Sequence, residues 1–392
     1  MALCPDAGPE AESKPPPERF TLYLYGRTVS PVTRTLLGKN ALTGRGALSN
    51  PVGRFDRTGI EAVDDGWFQE EAPESVATSL QADRARGVIT TNDSPDIGFD
   101  QSINPYRGCE HGCIYCYARP SHAYMGLSSG LDFETKLFYK QDVARVLREE
   151  LVRPRYVCKP IMLGSNTDPY QPVERRLRVT RDILEVLAEC RHPVSIVTKG
   201  VLIARDIDIL ADLARDRLAS VAVSLTTLDA ETKRTLEPRA ASPRARLKTM
   251  RLLADAGIPL AVMVAPVIPA ITDHEMESIL EAAAAAGASR AAYVLLRLPY
   301  EVKDLFREWL KQHYPQRAEH VMSLVRDARN GRDNDPNFGS RMRGTGPYAE
   351  LLRARFKVAS RRLGLDQARD RPLDTSLFRP PGPAGAQLQL QL

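Results

Sequence analysis

The sequence predicts an α/β fold, a partial (βα)6 TIM-like barrel with N- and C-terminal extensions. Two observations carry this expectation. From Ile97 onward, short apolar runs rich in Val, Ile and Leu alternate with amphipathic stretches, as βα units on a parallel sheet require. The six strands, each followed by a helix, fall short of the eight units of a closed barrel. A doubly wound open sheet would show the same alternation and stands as the alternative.

The strands read, in order, as IGFDQSINPYR (97–107), PIMLG (160–164), VSIVTK (194–199), LASVAVSLT (218–226), LAVMVAP (260–266) and AAYVLLR (291–297). Between them lie KQDVARVLREEL, LRVTRDILEVLAEC, IARDIDILADLARD, SPRARLKTMRLLADAG and HEMESILEAAAAAG. Each places apolar residues at helical spacing, as Val143, Val146 and Leu147 do, and Ile183, Val186, Leu187 and Cys190. Ser242 followed by Pro243 reads as a helix cap with proline in the first turn. Two further helices, LPYEVKDLFREWLKQHY and AEHVMSLVRDAR, follow the last strand. A glycine-rich loop, NGRDNDPNFGSRMRGTGPY, leads to a final helix in which Leu352, Phe356, Ala359 and Leu363 form an apolar stripe. Arg353, Arg355, Lys357, Arg361 and Arg362 crowd its remaining surface, either as a solvated basic face or as a phosphate contact.

The organisation expected is a disordered leader at 1–18, an N-terminal extension at 19–95 and a core at 96–300. A C-terminal helical extension at 301–378 and a disordered tail at 379–392 complete the chain. With 43% hydrophobic and 26% charged residues, the composition excludes wholesale disorder and a fibrous class. A formal net charge of +5 is compatible with a polyanionic partner without requiring one. No stretch reaches the ~20 apolar residues that cross a bilayer, and no basic-then-apolar signal opens the chain, so a cytoplasmic protein with no membrane partner is expected. In that compartment thiols stay reduced.

Three of the six cysteines fall within CEHGCIYC, at Cys109, Cys113 and Cys116. The C-x3-C-x2-C spacing lets a short loop turn three thiolates toward one centre. A structural zinc would need a fourth protein ligand, either His111, cramped between Cys109 and Cys113, or a distant cysteine. Electron-carrying clusters also take four cysteines, so three alone suggest a cubane with one iron left for an exogenous ligand. Cys4 lies in the leader, while Cys158 and Cys190 read as small buried hydrophobes. A disulfide is the poorest of the three readings.

CEHGCIYC resembles the C-x3-C-x-aromatic-C signature of the radical SAM superfamily, with Tyr115 at the aromatic place. NPYRGCEHGCIYCYAR and GSNTDPYQPVE further resemble its spore photoproduct lyase-like branch, the DNA repair photolyase-like proteins. The resemblance covers about Asp96 to Arg297 and implies a barrel of the radical SAM type. It implies a [4Fe-4S] cluster on Cys109, Cys113 and Cys116, with S-adenosylmethionine (SAM) on the fourth iron. Reductive cleavage of SAM would then give methionine and a 5′-deoxyadenosyl radical for hydrogen abstraction. It also implies an electron donor such as a flavodoxin or ferredoxin.

By the same resemblance, Gly164, Ser165, Asn166 and Thr167 would meet the SAM amino group, Lys199 its carboxylate, and Ser224 its carboxylate or ribose. Val267 and Ile268 would pack on the adenine. Each of these has a plainer reading, Lys199 as a strand-end lysine and Ser224 as a strand hydroxyl. Arg239 would meet a phosphate or carboxylate, or pair with Glu237. Spore photoproduct lyases place a hydrogen-donating cysteine near the end of the second strand, where this chain has Gly164 and Ser165; Cys158 lies too early to replace it. Thymine-dimer reversal is therefore not implied. The substrate expected is nucleic acid, then a peptide or metabolite, and the rival from another class is a non-catalytic zinc- or cluster-binding regulatory protein.

Overall fold

The computed structural model describes residues 44–55, 76–366 and 372–382. The leader, positions 19–43 and 56–75 of the N-terminal extension, and the tail from 383 lie outside the described residues. All described residues belong to one unit, Thr33–Leu392.

The N-terminal extension contributes strands β1 (Ser79–Asp83) and β2 (Ile89–Thr91). The core begins with β3 (Gln101–Ile103) and β4 (Tyr106–Arg107), then helix α1 (Leu131–Thr135), β5 (Lys136–Lys140) and α2 (Val143–Leu151). β6 (Ile161–Leu163) is followed by α3 (Glu174–Leu177) and α4 (Val179–Glu189), and β7 (Val194–Thr198) by α5 (Ile207–Arg215). β8 (Ala219–Ser224) precedes α6 (Ala230–Leu236) and α7 (Pro243–Asp255), and β9 (Leu260–Val267) precedes α8 (Met276–Ala285). After β10 (Arg290–Leu295) come α9 (Val302–His313), α10 (Ala318–Asp327) and α11 (Gly346–Arg362).

The main sheet has seven strands in the order β10-β9-β8-β7-β6-β3-β2. Its six core strands are mutually parallel and follow chain order, with β2 added antiparallel at one edge. A doubly wound sheet reverses its strand order at a switch point. No reversal occurs here, so the winding is that of a barrel, and that alternative falls away. Among the described residues β2 and β10 form the two edges.

The strands form where β-branched residues alternate. Val194, Ile196 and Thr198 of β7 are buried, with Ser195 and Val197 half-buried between them. The helices cover the outer face through the residues expected, and Ile183, Val186, Leu187 and Cys190 are all fully buried. Ser242 accepts a hydrogen bond from the Ala245 N–H at 3.3 Å, with Pro243 in the first turn. In α11, Leu352 and Ala359 are buried and Phe356 lies 4.8 Å from the Tyr293 ring.

A second sheet, β1-β5-β4, was not anticipated. It joins the N-terminal extension to the segment after the cysteines, β1 running parallel to β5. Helices α9 and α10 supply an apolar cluster that includes Trp309, Phe306 and Val321 together with Cys113, Ile114 and Tyr115. The C-terminal extension therefore backs the cysteine loop. No helix among the described residues is long and apolar enough to cross a membrane.

Candidate functional site

The cysteines occupy a loop after β4. Its turns are local: Gly112 N–H reaches Cys109 O at 3.3 Å and Cys116 N–H reaches Cys113 O at 3.2 Å. Gly112 has φ +66°, and a Cβ there would meet Glu134 Oε2 at 2.7 Å, so a side chain is excluded. Arg119, fully buried, uses all its donors on this loop and its flank. Nε donates to Cys113 O at 2.9 Å, Nη1 to Ser129 O at 3.2 Å and Gly130 O at 2.9 Å, and Nη2 to Gly112 O at 3.2 Å and to Glu134. Glu134 in turn accepts from the N–H groups of Gly46 at 2.9 Å and Ala47 at 2.8 Å. A stretch of the N-terminal extension is thereby tied behind the cysteines.

The segment after β6 docks on the same loop. Asn104 Oδ1 accepts from Asn166 N–H at 2.8 Å, Thr167 N–H at 3.2 Å and Ser165 Oγ at 3.3 Å. Gly164, with φ +92°, brings its α-carbon so close to β7 that a Cβ would lie 2.2 Å from Val197 O. Asp168 joins three elements: it accepts from Thr198 Oγ1 at 2.6 Å and Lys199 N–H at 2.7 Å, and lies 3.4 Å from His111 Nδ1. Burial works to raise the Asp168 pKa, but His111 and these donors outweigh it and hold the carboxyl well below its ordinary value. Gln171 closes the contact, accepting from Glu110 N–H at 2.8 Å and donating to Gly108 O at 3.2 Å. Tyr117, half-exposed, donates to Ser165 O.

Lys199 places its ammonium 5.8 Å from the Tyr115 ring centroid. Burial lowers its pKa, yet its neighbours Cys113 and Glu237 outweigh burial and hold it above the ordinary value. At the end of β8, Ser224 Oγ donates to Ala265 O at 3.1 Å. Thr226 Oγ1 donates to Glu237 at 2.7 Å, and Glu237 also receives Tyr115 OH and Arg246. Burial would raise Glu237, but Arg246 and Lys199 bring it down to about 2. Val267 and Ile268 are buried at and after the end of β9.

All three cysteines are free thiols; Cys113 and Cys116 both act on Cys109, and Cys116 on Cys113, so the three lie close together. Burial, then Asp168, pushes Cys109 well above its ordinary value; burial, then Glu237, pushes Cys113 up to about 12. Such thiols hold their protons until a metal displaces them. Among the described residues no group of three or more His, Cys, Asp or Glu is arranged to hold a single metal ion. A cubane asks something different, because each thiolate meets a different iron. Soft donors alone, held by a rigid backbone beside the ammonium of Lys199, suit that demand.

The structure thus brings Cys109, Cys113 and Cys116 together with Ser165, Asn166, Thr167 and Lys199 at the C-terminal end of the parallel strands. Ser224 lies at the same end with its proton engaged by the neighbouring strand. Arg239 pairs with Glu110 at 3.1 Å, and Glu237 pairs instead with Arg246. Cys158 is half-buried before β6, at the opposite end of that strand from Gly164. Sequence reasoning passed over Arg119, Glu134, Asn104 and Gln171. Asn104-Pro105, Arg119 and Pro169-Tyr170-Gln171 carried a signal, since all sit in the quoted motifs; Glu134 carried none.

A family model described as the radical SAM superfamily matches residues 103–283. An uncharacterized protein of Mycobacterium tuberculosis is 40% identical over 232 residues, 59% of this chain and 68% of that relative. An uncharacterized protein of Methanocaldococcus jannaschii is 27% identical over 222 residues, 55% of this chain and 77% of that relative. Among solved structures, a spore photoproduct lyase complexed with dinucleoside spore photoproduct superposes with a TM-score of 0.52 at 16% identity, covering 72% of this chain and 79% of that one. At this identity the likeness speaks for the fold.

Proposed function

The chain belongs to the radical SAM superfamily, and on that premise we propose that Cys109, Cys113 and Cys116 hold a [4Fe-4S] cluster whose fourth iron takes SAM. When bound, that pair supplies reductive cleavage of SAM to methionine and a 5′-deoxyadenosyl radical, which abstracts hydrogen from a substrate. The observation that carries the reading is the meeting of three free thiols with the 165–167 loop and Lys199 at one end of the sheet. Ser165, Asn166 and Thr167 present polar groups around a backbone pinned by Asn104, and Lys199 offers an ammonium to a carboxylate. Ser224 donates to Ala265 O, so its remaining capacity is to accept, which suits a ribose hydroxyl better than a carboxylate. Val267 and Ile268 are fully buried against the protein itself and so would back an adenine site without presenting surface to the ring.

Nucleic acid is the first substrate class, supported by the exposed Arg353 and Lys357 of α11; the other basic residues there pair with Glu277, Asp366 and Glu281. Radical modification of a peptide or metabolite is the alternative. A flavodoxin or ferredoxin would deliver the electron. Anaerobic reconstitution should give brown protein with about four iron and four sulfide per chain, and dithionite should then release 5′-deoxyadenosine. Full zinc occupancy with no SAM cleavage would refute this and favour a non-catalytic zinc-binding regulatory protein. Binding of single-stranded DNA or RNA that does not weaken with salt would count against nucleic acid.

A further inference from the structure

We propose that the buried ion pair of Glu237 and Arg246 sets the reduction potential at Cys113, its carboxylate holding the potential low, while it clamps Tyr115 of the cysteine loop against the end of β8. This rests on the reading of the three cysteines as cluster ligands.

Glu237 and Arg246 are both essentially inaccessible to solvent. Every polar atom of the pair is engaged. Glu237 accepts from Tyr115 OH, Thr226 Oγ1 and Arg246. Arg246 also donates from Nε to Ala241 O at 2.9 Å and from Nη1 to Ser224 O at 2.9 Å. The loop touches this framework twice, through Tyr115 and through Ile114 N–H, which reaches Leu236 O at 3.1 Å. Cys113, Ile114, Tyr115 and Leu236 share one apolar cluster, so the medium between the carboxylate and the thiol is protein.

Stability alone does not account for the pair. Desolvating two charges offsets most of their attraction, and apolar replacements of such pairs are often neutral or stabilising. Its position suggests another use, because a fixed charge in a low-dielectric interior acts on its neighbours far more strongly than in water. Of the pair it is Glu237 that bonds the cysteine loop, accepting from Tyr115 OH, while Arg246 spends its donors on Glu237, Ala241 O and Ser224 O. The pair therefore presents its negative end to the thiolate. Adding an electron beside a carboxylate is unfavourable, so the potential falls; net charge, hydrogen bonding and burial are the protein's levers on such centres.

The test uses the full chain, reconstituted without oxygen, and reads the midpoint potential by redox titration followed by electron paramagnetic resonance, without SAM. Glu237→Gln keeps the shape and removes the charge. At fixed applied potential its reduced-to-oxidised ratio should rise about tenfold, which is about 59 mV for one electron. Arg246→Gln should move the ratio in the opposite direction. Tyr115→Phe, which removes a hydrogen bond and no charge, should change it less than about twofold. Where the single variants do not fold, Glu237→Gln combined with Arg246→Met leaves no unpaired charge. Its potential should still exceed the parent's, by a smaller step. Shifts of the same sign in both single variants, or a double variant at or below the parent's potential, would overturn the inference. A parent chain that takes up no iron defeats the ligand reading instead, so the two failures are distinguishable.

Discussion

Replacing Arg119 by methionine keeps most of the side chain's length and removes its five donors, all of which are engaged. Two losses follow. Glu134 becomes a buried carboxylate without its guanidinium, and breaking such a pair costs about 3–5 kcal/mol. The carbonyls of Gly112, Cys113, Ser129 and Gly130 lose a donor as well, each worth about 1–3 kcal/mol if left unsatisfied. These contributions overlap in one network and do not sum, so the pair alone sets a floor. An unfolding entropy of about 2.1 cal/mol/K per residue, over roughly 300 residues, converts that floor to a fall of about 5–8 °C in Tm. The assay is thermal unfolding of the metal-free protein followed by circular dichroism. Arg119→Lys, which retains the charge but not the fork, should lose less than Arg119→Met. A fall below about 2 °C for the methionine variant would refute the role assigned to Arg119.

Asn104→Ala should weaken SAM binding about tenfold, near 1.4 kcal/mol, by releasing the 165–167 backbone, and Asn104→Asp should restore most of it; calorimetric titration without oxygen reads both, and equal affinities would sink the idea. Gly164→Ala should give poorly soluble protein or a Tm several degrees lower, because its Cβ has no room beside Val197 O. His192, fully buried, accepts from Tyr156 OH at 2.6 Å, and burial lowers its pKa to about 4. The unfolded chain then binds the extra proton between about pH 6.5 and 4, so stability is complete above that window and falls by about 3 kcal/mol across it. Urea unfolding at a series of pH values checks this. His192→Gln should flatten the dependence within the window, and an unchanged slope would exclude the assignment.

Most core strands were readable because each is a short apolar run next to an amphipathic helix, and local patterns of that kind survive in one dimension; the first, expected over 97–107, instead breaks into β3 and β4, which join different sheets. The strand β5, KLFYK, escaped notice because its partner SLQAD is separated from it by the whole cysteine loop, and neither alternates clearly. Helix α6, AETKRTL, is short and polar outside Leu236. The thiol triplet was equally plain, since its meaning lies in spacing along the chain. Its support was not, because Arg119 and Glu134 look like ordinary surface charges until the fold buries them.

Charge pairing marks the boundary most sharply. Two positions separate Glu237 from Arg239, yet Glu237 turns inward to Arg246 on α7 while Arg239 reaches Glu110 beside Cys109. Chain order and residue type were enough for most of the strands and for the candidate ligands, because hydrogen-bonded periodicity and loop spacing are local; the winding was decided only by the strand order of the folded sheet. Which carboxylate stands beside Cys113, and which guanidinium neutralises it, depends on distances between distant segments and on water being excluded from between them. No periodicity encodes either quantity, so packing alone decided them.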